Sequence, residues 1–227
     1  MARRIATGNF QRVSTRVPNM AYVAGIESGA IVYANYGAPA AADAALGTAG
    51  MILTGQSISS AGSTTTFLSG FTQSLAQMSP YGRCLWIVAS GASTANVTIR
   101  GRDYLGQPMA DQKALNGTTT AICNKAFRTV DSITWEAGGA VTMNVGLSNS
   151  FGLPFKFLAI QSELKNNAIA ANNGTFVVGT NAQLTAGSFD PRGRYTISTV
   201  LPDGINTFEL YYLTDRTQMH GTVPFNS

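Results

Sequence analysis

The sequence VTIRGRDYLGQPM, residues 97–109, begins the stretch on which the prediction of the fold rests. Val97 and Ile99 alternate with polar neighbours, which is the period-2 pattern of a strand with one buried face. Asp103 and Gly106 are turn-forming residues, and β-prone residues flank them on both sides. The stretch therefore predicts two antiparallel strands joined by a turn.

Further turn signals follow along the chain. Asn116-Gly117 is a tight-turn dipeptide, and Gly138-Gly139 predicts another reversal before an alternating segment. Residues 84–89, CLWIVA, form the most apolar run in the chain, and their length and lack of helical spacing predict a strand buried on both faces. Residues 97–154 are accordingly predicted to be a meander of antiparallel strands on which the remaining segments pack.

The whole chain predicts an all-β fold. Short strand-like segments alternate with turn signals about every 8–15 residues, and there is no long helical pattern, although residues 73–78 favour a short helical turn. We predict a jelly-roll-like antiparallel β-sandwich with an extended, largely irregular N-terminal arm. Residues 1–50 are interpreted as the arm and an Ala/Gly-rich extension, and residues 51–227 as the β-sandwich domain with a C-terminal tail.

The composition narrows the class of protein. Only 11% of the 227 residues are charged, well below the roughly 25% of ordinary soluble domains. A surface poor in charge and rich in small polar groups is typical of a chain that other chains cover, whereas a freely diffusing enzyme generally needs charge for solubility. The residues at the start lack the apolar core of a signal peptide, and no apolar run has the length of a transmembrane helix, so we expect no membrane partner.

The net charge of +4 is concentrated at the N-terminus. The first twenty residues contain no acid and four arginines: Arg3, Arg4, Arg12 and Arg16. This pattern predicts an arm that docks on an acidic neighbouring surface. Four spaced arginines are few for nucleic-acid binding, which remains the less favoured interpretation, and a disordered tail is a third.

Arg100 and Arg102 are two residues apart in a predicted strand, so their side chains are expected on one face. They are candidates for bidentate contacts with a carboxylate of a neighbouring subunit. The alternative interpretation is an ordinary solvated face of the sheet.

No catalytic or metal-binding pattern emerges from the sequence. The single histidine, His220, lies near a proline-containing end and is interpreted as a surface residue. Cys84 and Cys123 lack the paired spacing of a zinc site and are predicted to be buried free thiols. We therefore expect no enzyme activity, no cofactor, no metal and no small-molecule substrate.

Acids and aromatics suited to sugar binding or cleavage are also sparse. Asp103 and Asp190 lie in predicted turns, where structural roles are favoured over paired-carboxylate chemistry. Trp86 is predicted to be buried. Trp135, beside Glu136, is the one tryptophan interpreted as a plausible surface residue.

The opening stretch resembles a family of tailed-bacteriophage virion proteins. The resemblance lies in residues 97–109, in LNGTT at 115–119, in KAF at 125–127 with VDSI at 130–133, and in GLP at 152–154. DPRGRY at 190–195 and HGTVP at 220–224 are also similar to that family. These are turn and strand signatures, which cover about a third of the matching region.

The resemblance implies a structural virion protein, most simply a decoration (cement) protein on the exterior of a tailed-phage head. Such a protein binds across junctions between major capsid protein subunits, is often a homotrimer, and is made in the cytoplasm of the host bacterium. A tail, neck or fibre-type structural protein of the same virion is the second hypothesis. A host-surface glycan-binding or glycan-degrading protein is the third.

Overall fold

A computed structural model describes residues 29–41, 50–170, 173–179 and 187–215. In these ranges the chain forms fourteen strands and one short helix. The strands are β1 Gly29–Gly37, β2 Leu53–Ser57, β3 Gly62–Thr64, β4 Arg83–Ala89, β5 Asn96–Arg102, β6 Pro108–Ala114, β7 Ala121–Ile122, β8 Thr129–Trp135, β9 Thr142–Gly152, β10 Ala159–Lys165, β11 Ala168–Ile169, β12 Gly174–Val177, β13 Arg194–Ile197 and β14 Phe208–Asp215. The helix, α1, spans Leu75–Met78 and lies within the predicted helical turn.

The strands form three sheets, and every pairing between them is antiparallel. Sheet 1 has the order β3-β8-β5-β6. Sheet 2 has the order β12-β13-β9-β4-β7, with β2 also paired to β9, and sheet 3 has the order β1-β14-β10-β11. The predicted all-β, antiparallel, sandwich-like fold is confirmed.

The larger hydrophobic core lies between sheet 1 and sheet 2. Ile99 and Ile133 of sheet 1 pack in one buried cluster with Leu85, Ile87 and Val145 of sheet 2. All seven residues of β4 are buried, which confirms the predicted strand with two covered faces. The predicted single meander of residues 97–154 is wrong, because its strands belong to two sheets: β5 pairs with β6 and β8, whereas β7 and β9 pair with β4 in sheet 2.

A second core lies between sheet 2 and sheet 3. It contains Tyr36 of β1, Leu210 and Tyr212 of β14, Phe151 of β9 and Tyr195 of β13. The ring of Tyr36 lies 5.7 Å from that of Phe151 and 6.1 Å from that of Tyr195, centroid to centroid. Sheet 3 is thus attached to the sandwich through aromatic packing.

Strand β1 changes the interpretation of residues 1–50. Gly29–Gly37 pairs with β14 along its length, and Val32, Ala34 and Tyr36 are buried, so this segment belongs to a sheet and a core instead of an irregular extension. The alternation of buried and exposed residues from 31 to 36 explains the strand. The remainder of the predicted arm, residues 1–28, and residues 42–49 of the Ala/Gly-rich extension lie outside the described residues.

Two turns illustrate how local chemistry sets the strand ends. Asp103 Oδ1 accepts hydrogen bonds from the amides of Leu105 and Gln107, and this closes the predicted turn between β5 and β6. The second turn joins β10 to β11, which form a hairpin. Asn166 and Asn167 adopt φ values of 52° and 65°, which asparagine tolerates better than most residues.

Candidate interaction surfaces

The six arginines proposed from the sequence divide into two groups. Four of them, Arg3, Arg4, Arg12 and Arg16, lie outside the described residues. Arg100 and Arg102 lie on β5, and both are exposed. Their predicted partner contacts therefore stay predictions, but the surface that carries the second group can be described.

The outer side of sheet 1 is a flat polar surface. Register places Arg100 opposite Ala110 and Ser132, and Thr98 opposite Gln112 and Thr134. Residues directly opposite one another in an antiparallel pair point to the same side of the sheet. We call this surface the arginine face; it consists of Thr98, Arg100, Arg102, Gln112, Ser132 and Thr134.

The two arginines on this face differ in what they contact. The Arg102 Nε lies 3.7 Å from Asp131 Oδ2, and its Nη1 donates a 3.1 Å hydrogen bond to the carbonyl of Gly106. Within the described residues Arg100 forms no ion pair. Arg100 is exposed, whereas the charge of Arg102 is engaged by Asp131.

The outer side of sheet 3 carries several large apolar side chains together with Asn35, Ser162 and Glu209. Register places Tyr33 opposite Tyr211 and Ile31 opposite Leu213. On β10 the residue opposite Tyr211 is Ser162, and a neighbouring row on the same side runs from Asn35 and Glu209 to Leu164 of β10 and Ile169 of β11. We call this surface the tyrosine face; it consists of Ile31, Tyr33, Leu164, Ile169, Tyr211 and Leu213.

The centre of the tyrosine face is an aromatic pair. The rings of Tyr33 and Tyr211 lie 5.0 Å apart between centroids, and the two side chains remain 47% and 36% exposed. The Tyr33 hydroxyl donates a 2.5 Å hydrogen bond to Glu209 Oε2, which raises the pKa of Tyr33. Glu209 is itself buried, and its carboxylate is engaged by the Tyr33 hydroxyl.

Asp103, from the motif at 97–109, and Asp190, from the motif at 190–195, both contact Arg192 in the protein interior. Arg192 donates from Nε and Nη2 to the two carboxylate oxygens of Asp190, at 3.0 and 3.1 Å. Its Nη1 lies 3.6 Å from Asp103 Oδ2, and its guanidinium lies 4.9 Å from the ring centroid of Tyr104. Burial lowers the pKa of Arg192, but the two carboxylates outweigh burial and raise it. The predicted structural role of both acids is consistent with these contacts.

Asp111 is another buried acid. Asp111 of β6 accepts a 2.7 Å hydrogen bond from the backbone amide of Lys125, and Lys125 Nζ donates to the carbonyl of Ala110. Burial raises the pKa of Asp111 to about 7, and burial lowers the pKa of Lys125. The pair fixes the 123–126 loop against the strand.

Both cysteines and both tryptophans are buried. Cys84 and Cys123 are buried free thiols, as predicted, and burial raises the pKa of Cys84 to about 12. Trp86 is fully buried, as predicted. The prediction for Trp135 is wrong, because its ring is 8% exposed in the main core and its Nε1 donates to the carbonyl of Ser60.

The described residues contain no group of three or more His, Cys, Asp or Glu side chains that could hold a metal ion. A shallow depression lies between two loops and is lined by Ala92, Ser93, Thr94, Asn116, Gly117 and Thr118. Its lining contains neither an acid nor an aromatic ring, and sugar-binding clefts usually depend on such groups. In the same part of the chain, no helix is long and apolar enough to cross a membrane.

The fold and these surfaces define an all-β sandwich protein with two open sheet faces, one polar and one aromatic. Comparison of the chain with protein-family models, with curated proteins and with solved structures finds no match. The function is therefore argued from the surfaces themselves.

Sequence reasoning missed the tyrosine face. It did not pair residues 29–37 with residues 208–215, because the two segments stand at opposite ends of the described chain. A usable signal was present: both segments carry apolar residues at consecutive positions, and a strand that is apolar on both sides needs a covering layer on each.

Proposed function

We propose that this chain is a structural virion protein, a decoration (cement) protein on the outside of a tailed-phage head. It binds across junctions between major capsid protein subunits and stabilises the expanded shell. The resemblance of residues 97–154 to phage virion proteins supports the proposal. The described part of the chain adds an independent physical argument.

That argument is the distribution of charge, which is the observation that carries the proposal. Charged residues are few, and many of those in the described ranges are used inside the protein. The buried ones are Arg83, Asp103, Asp111, Lys125, Glu163, Asp190, Arg192 and Glu209. The surface is left rich in neutral small side chains, which suits a protein whose working state is covered by other subunits better than one that diffuses alone.

The proposed mechanism is stabilisation by mass action. A protein that binds only the assembled, expanded shell lowers the free energy of that state, by about 2.7 kcal/mol per site when its free concentration is 100 times its Kd. Many weak contacts of this kind add up over a shell. No chemical step is required of the chain.

The arginine face is a candidate contact with the shell. Arg100 has no competing intramolecular ion pair among the described residues, so its guanidinium is available for a carboxylate of a capsid subunit. Thr98, Ser132 and Thr134 beside it provide hydroxyl groups for hydrogen bonds. Arg102 already forms an ion pair with Asp131, so its charge is less available to a partner than that of Arg100.

The proposal is tested by adding the purified protein to expanded capsids that lack it and to unexpanded capsids. We expect co-sedimentation with the expanded shells and a higher temperature of shell disruption. Absence of a particle-bound band on expanded shells would overturn the proposal. An image of the virion that places the protein in the tail or neck would replace it with the second structural role considered above.

A further inference from the structure

We propose that this chain forms an internal isopeptide bond between the side-chain amine of Lys113 on β6 and the side-chain carbonyl carbon of Asn124 in the loop after β7. The bond forms without a second protein and does not depend on the proposed capsid role. The proposal rests on the arrangement of three side chains: Lys113, Asn124 and Asp111.

The distance between the reacting groups is the first argument. Lys113 Nζ donates a hydrogen bond of 3.2 Å to Asn124 Oδ1. Because a C=O bond is about 1.2 Å long, the nitrogen lies within about 4.4 Å of the amide carbon Cγ. Reacting atoms in a near-attack arrangement are about 3–3.5 Å apart, and rotation about the end of the lysine side chain covers the difference.

The amide is held in place, which is the second argument. Asn124 is 8% exposed, and its Nδ2 donates a 2.8 Å hydrogen bond to the carbonyl of Gly187. Its backbone carbonyl accepts a 3.1 Å hydrogen bond from the amide of Asp190. Amides react very slowly with amines in water, but fixed neighbouring groups can react as if at about 10⁵ M or more. The fold therefore supplies the proximity that this reaction needs.

Register places an acid on the same side of β6 as the amine. Asp111 and Lys113 are two residues apart in the strand, so their side chains leave it in the same direction. They lie opposite Ile99 and Val97, which are buried in the main core. Both side chains therefore start on the inner side of sheet 1.

Asp111 is suited to carry protons for the reaction. The backbone amides of Lys125 and Asn124 donate to its carboxylate, so the acid lies against the loop that contains the amide. Its Oδ1 is buried and has no hydrogen-bond partner among the described residues. Burial raises the pKa of Asp111 to about 7, so the group can both accept and release a proton near neutral pH.

The reaction balances without a cofactor or an oxidant. The Lys113 ammonium gives one proton to the Asp111 carboxylate, and the resulting amine attacks Cγ of Asn124. A second proton passes from Nζ through the same carboxyl group to Nδ2. The Cγ–Nδ2 bond then breaks, and the nitrogen leaves as ammonia, which takes up the first proton from Asp111. The product is a secondary amide that joins the two side chains.

The position of the bond gives it a structural effect. Among the described strands, β6 is the last strand of sheet 1 and β7 the last strand of sheet 2. The bond would therefore connect the two sheets at one edge of the main core. Like a disulfide, it would stabilise the fold mainly by restricting the unfolded chain.

Mass spectrometry of the full chain, followed by peptide mapping, tests the proposal. We expect the intact wild type to be lighter than its sequence by about 17 Da, the mass of one ammonia. Chymotrypsin cuts after Leu115 and trypsin after Lys125, so the segment that contains Lys113 separates from residues 116–125 unless the bond joins them. We expect one joined peptide from the wild type.

Three variants sharpen the test. Lys113→Arg keeps the positive charge but should abolish the joined peptide and lower the thermal midpoint by roughly 5–10 °C. Lys165→Arg is the matched control on β10, where the lysine is also half-buried, and it should keep both. Asp111→Asn should slow formation of the joined peptide at least about a hundredfold. Circular dichroism checks that each variant is folded.

Each result counts for or against the bond. Separate peptides from the wild type overturn the proposal, even if the mass is lower by one ammonia, because ring closure at Asn116-Gly117 gives the same loss without joining them. A joined peptide from Lys113→Arg also overturns it, and an Asp111→Asn variant that links as fast as the wild type overturns the role of the acid. A chain without the bond that still binds capsids leaves the capsid role standing.

Discussion

Arg192 Nη1 lies 3.6 Å from Asp103 Oδ2, and this contact joins the turn after β5 to the turn before β13. Both side chains are almost completely buried, and Arg192 also holds Asp190 with two hydrogen bonds. One guanidinium therefore neutralises two carboxylates and fixes two motifs that are distant in the sequence.

Arg192→Met is expected to destabilise the fold by about 3–5 kcal/mol, because it leaves two buried carboxylates without a counter-charge. Urea denaturation of the purified protein measures the change in the free energy of unfolding. Arg102→Met is the matched control: its ion pair with Asp131 is half exposed and should contribute less than about 1 kcal/mol. Equal losses in the two variants would contradict this account of Arg192.

The second prediction concerns Asp111, whose pKa is raised by burial from 3.8 to about 7. The folded state therefore holds this proton more tightly than the unfolded state. The resulting stabilisation is complete below about pH 4 and is lost as the pH rises to about 7, at roughly 1.4 kcal/mol per pH unit at most.

Asp111→Asn removes this titration and keeps an oxygen for the amide of Lys125. We expect the free energy of unfolding of the wild type, relative to that of the variant, to fall between pH 4 and pH 7. Every other titratable group is common to both proteins and cancels in the difference. A difference that does not change with pH would show that Asp111 is ionised throughout.

The third prediction compares two glycines of the opening stretch. A Cβ on Gly101 would lie 2.0 Å from the carbonyl oxygen of Thr129 on the neighbouring strand, so Gly101→Ala forces the β5–β8 ladder apart. Gly106 has a φ of +82° but open space around it. We expect Gly106→Ala to cost about 1 kcal/mol and Gly101→Ala clearly more. Thermal denaturation of both variants tests the order, and the reverse order would refute it.

The fourth prediction concerns the arginine-rich arm. Deleting residues 1–20 should weaken binding to capsids and make the remaining binding less sensitive to salt, because four positive charges are removed. The thermal midpoint should stay close to that of the full chain, since the sequence of residues 1–20 predicts an extended arm with little core of its own. A truncated protein that unfolds would show instead that the arm is part of a core.

Arg100→Gln is the complementary single change. It should weaken capsid binding without loss of stability, because Arg100 is exposed and has no ion pair within the described residues. Arg102→Gln should have the smaller effect on binding, since Asp131 already engages its charge. Equal affinities of both variants and the wild type would remove the arginine face from the proposed contact.

Local patterns predicted the local structure well. The alternation at Val97 and Ile99, the Asp103 turn and the apolar run of β4 each follow from short-range chemistry, and each is found where it was expected. Trp135 was misjudged because a neighbouring acid was taken as a sign of exposure. In a strand, adjacent residues point to opposite sides, so Glu136 gives no information about Trp135.

Long-range relationships were not predictable in the same way. Nothing local at Asp103 indicates that its counter-charge is Arg192, and nothing local at Tyr33 indicates that Tyr211 lies opposite. Both depend on which strands become neighbours, and strand order is a property of the whole chain. The candidate surfaces are therefore the part of the protein that the sequence alone defines least.

The pairing of β1 with β14 has a consequence for how the protein is made. Ribosomes release β1 early, but its only partner among the described strands, β14, ends at Asp215, so this backbone pairing forms only when almost all of the chain has been made. Sheets 1 and 2, whose strands are closer in the sequence, have the chance to fold first. A nascent chain of this protein thus carries an unpaired apolar strand through most of its synthesis, and it is in this interval that chaperone binding or aggregation would act on it.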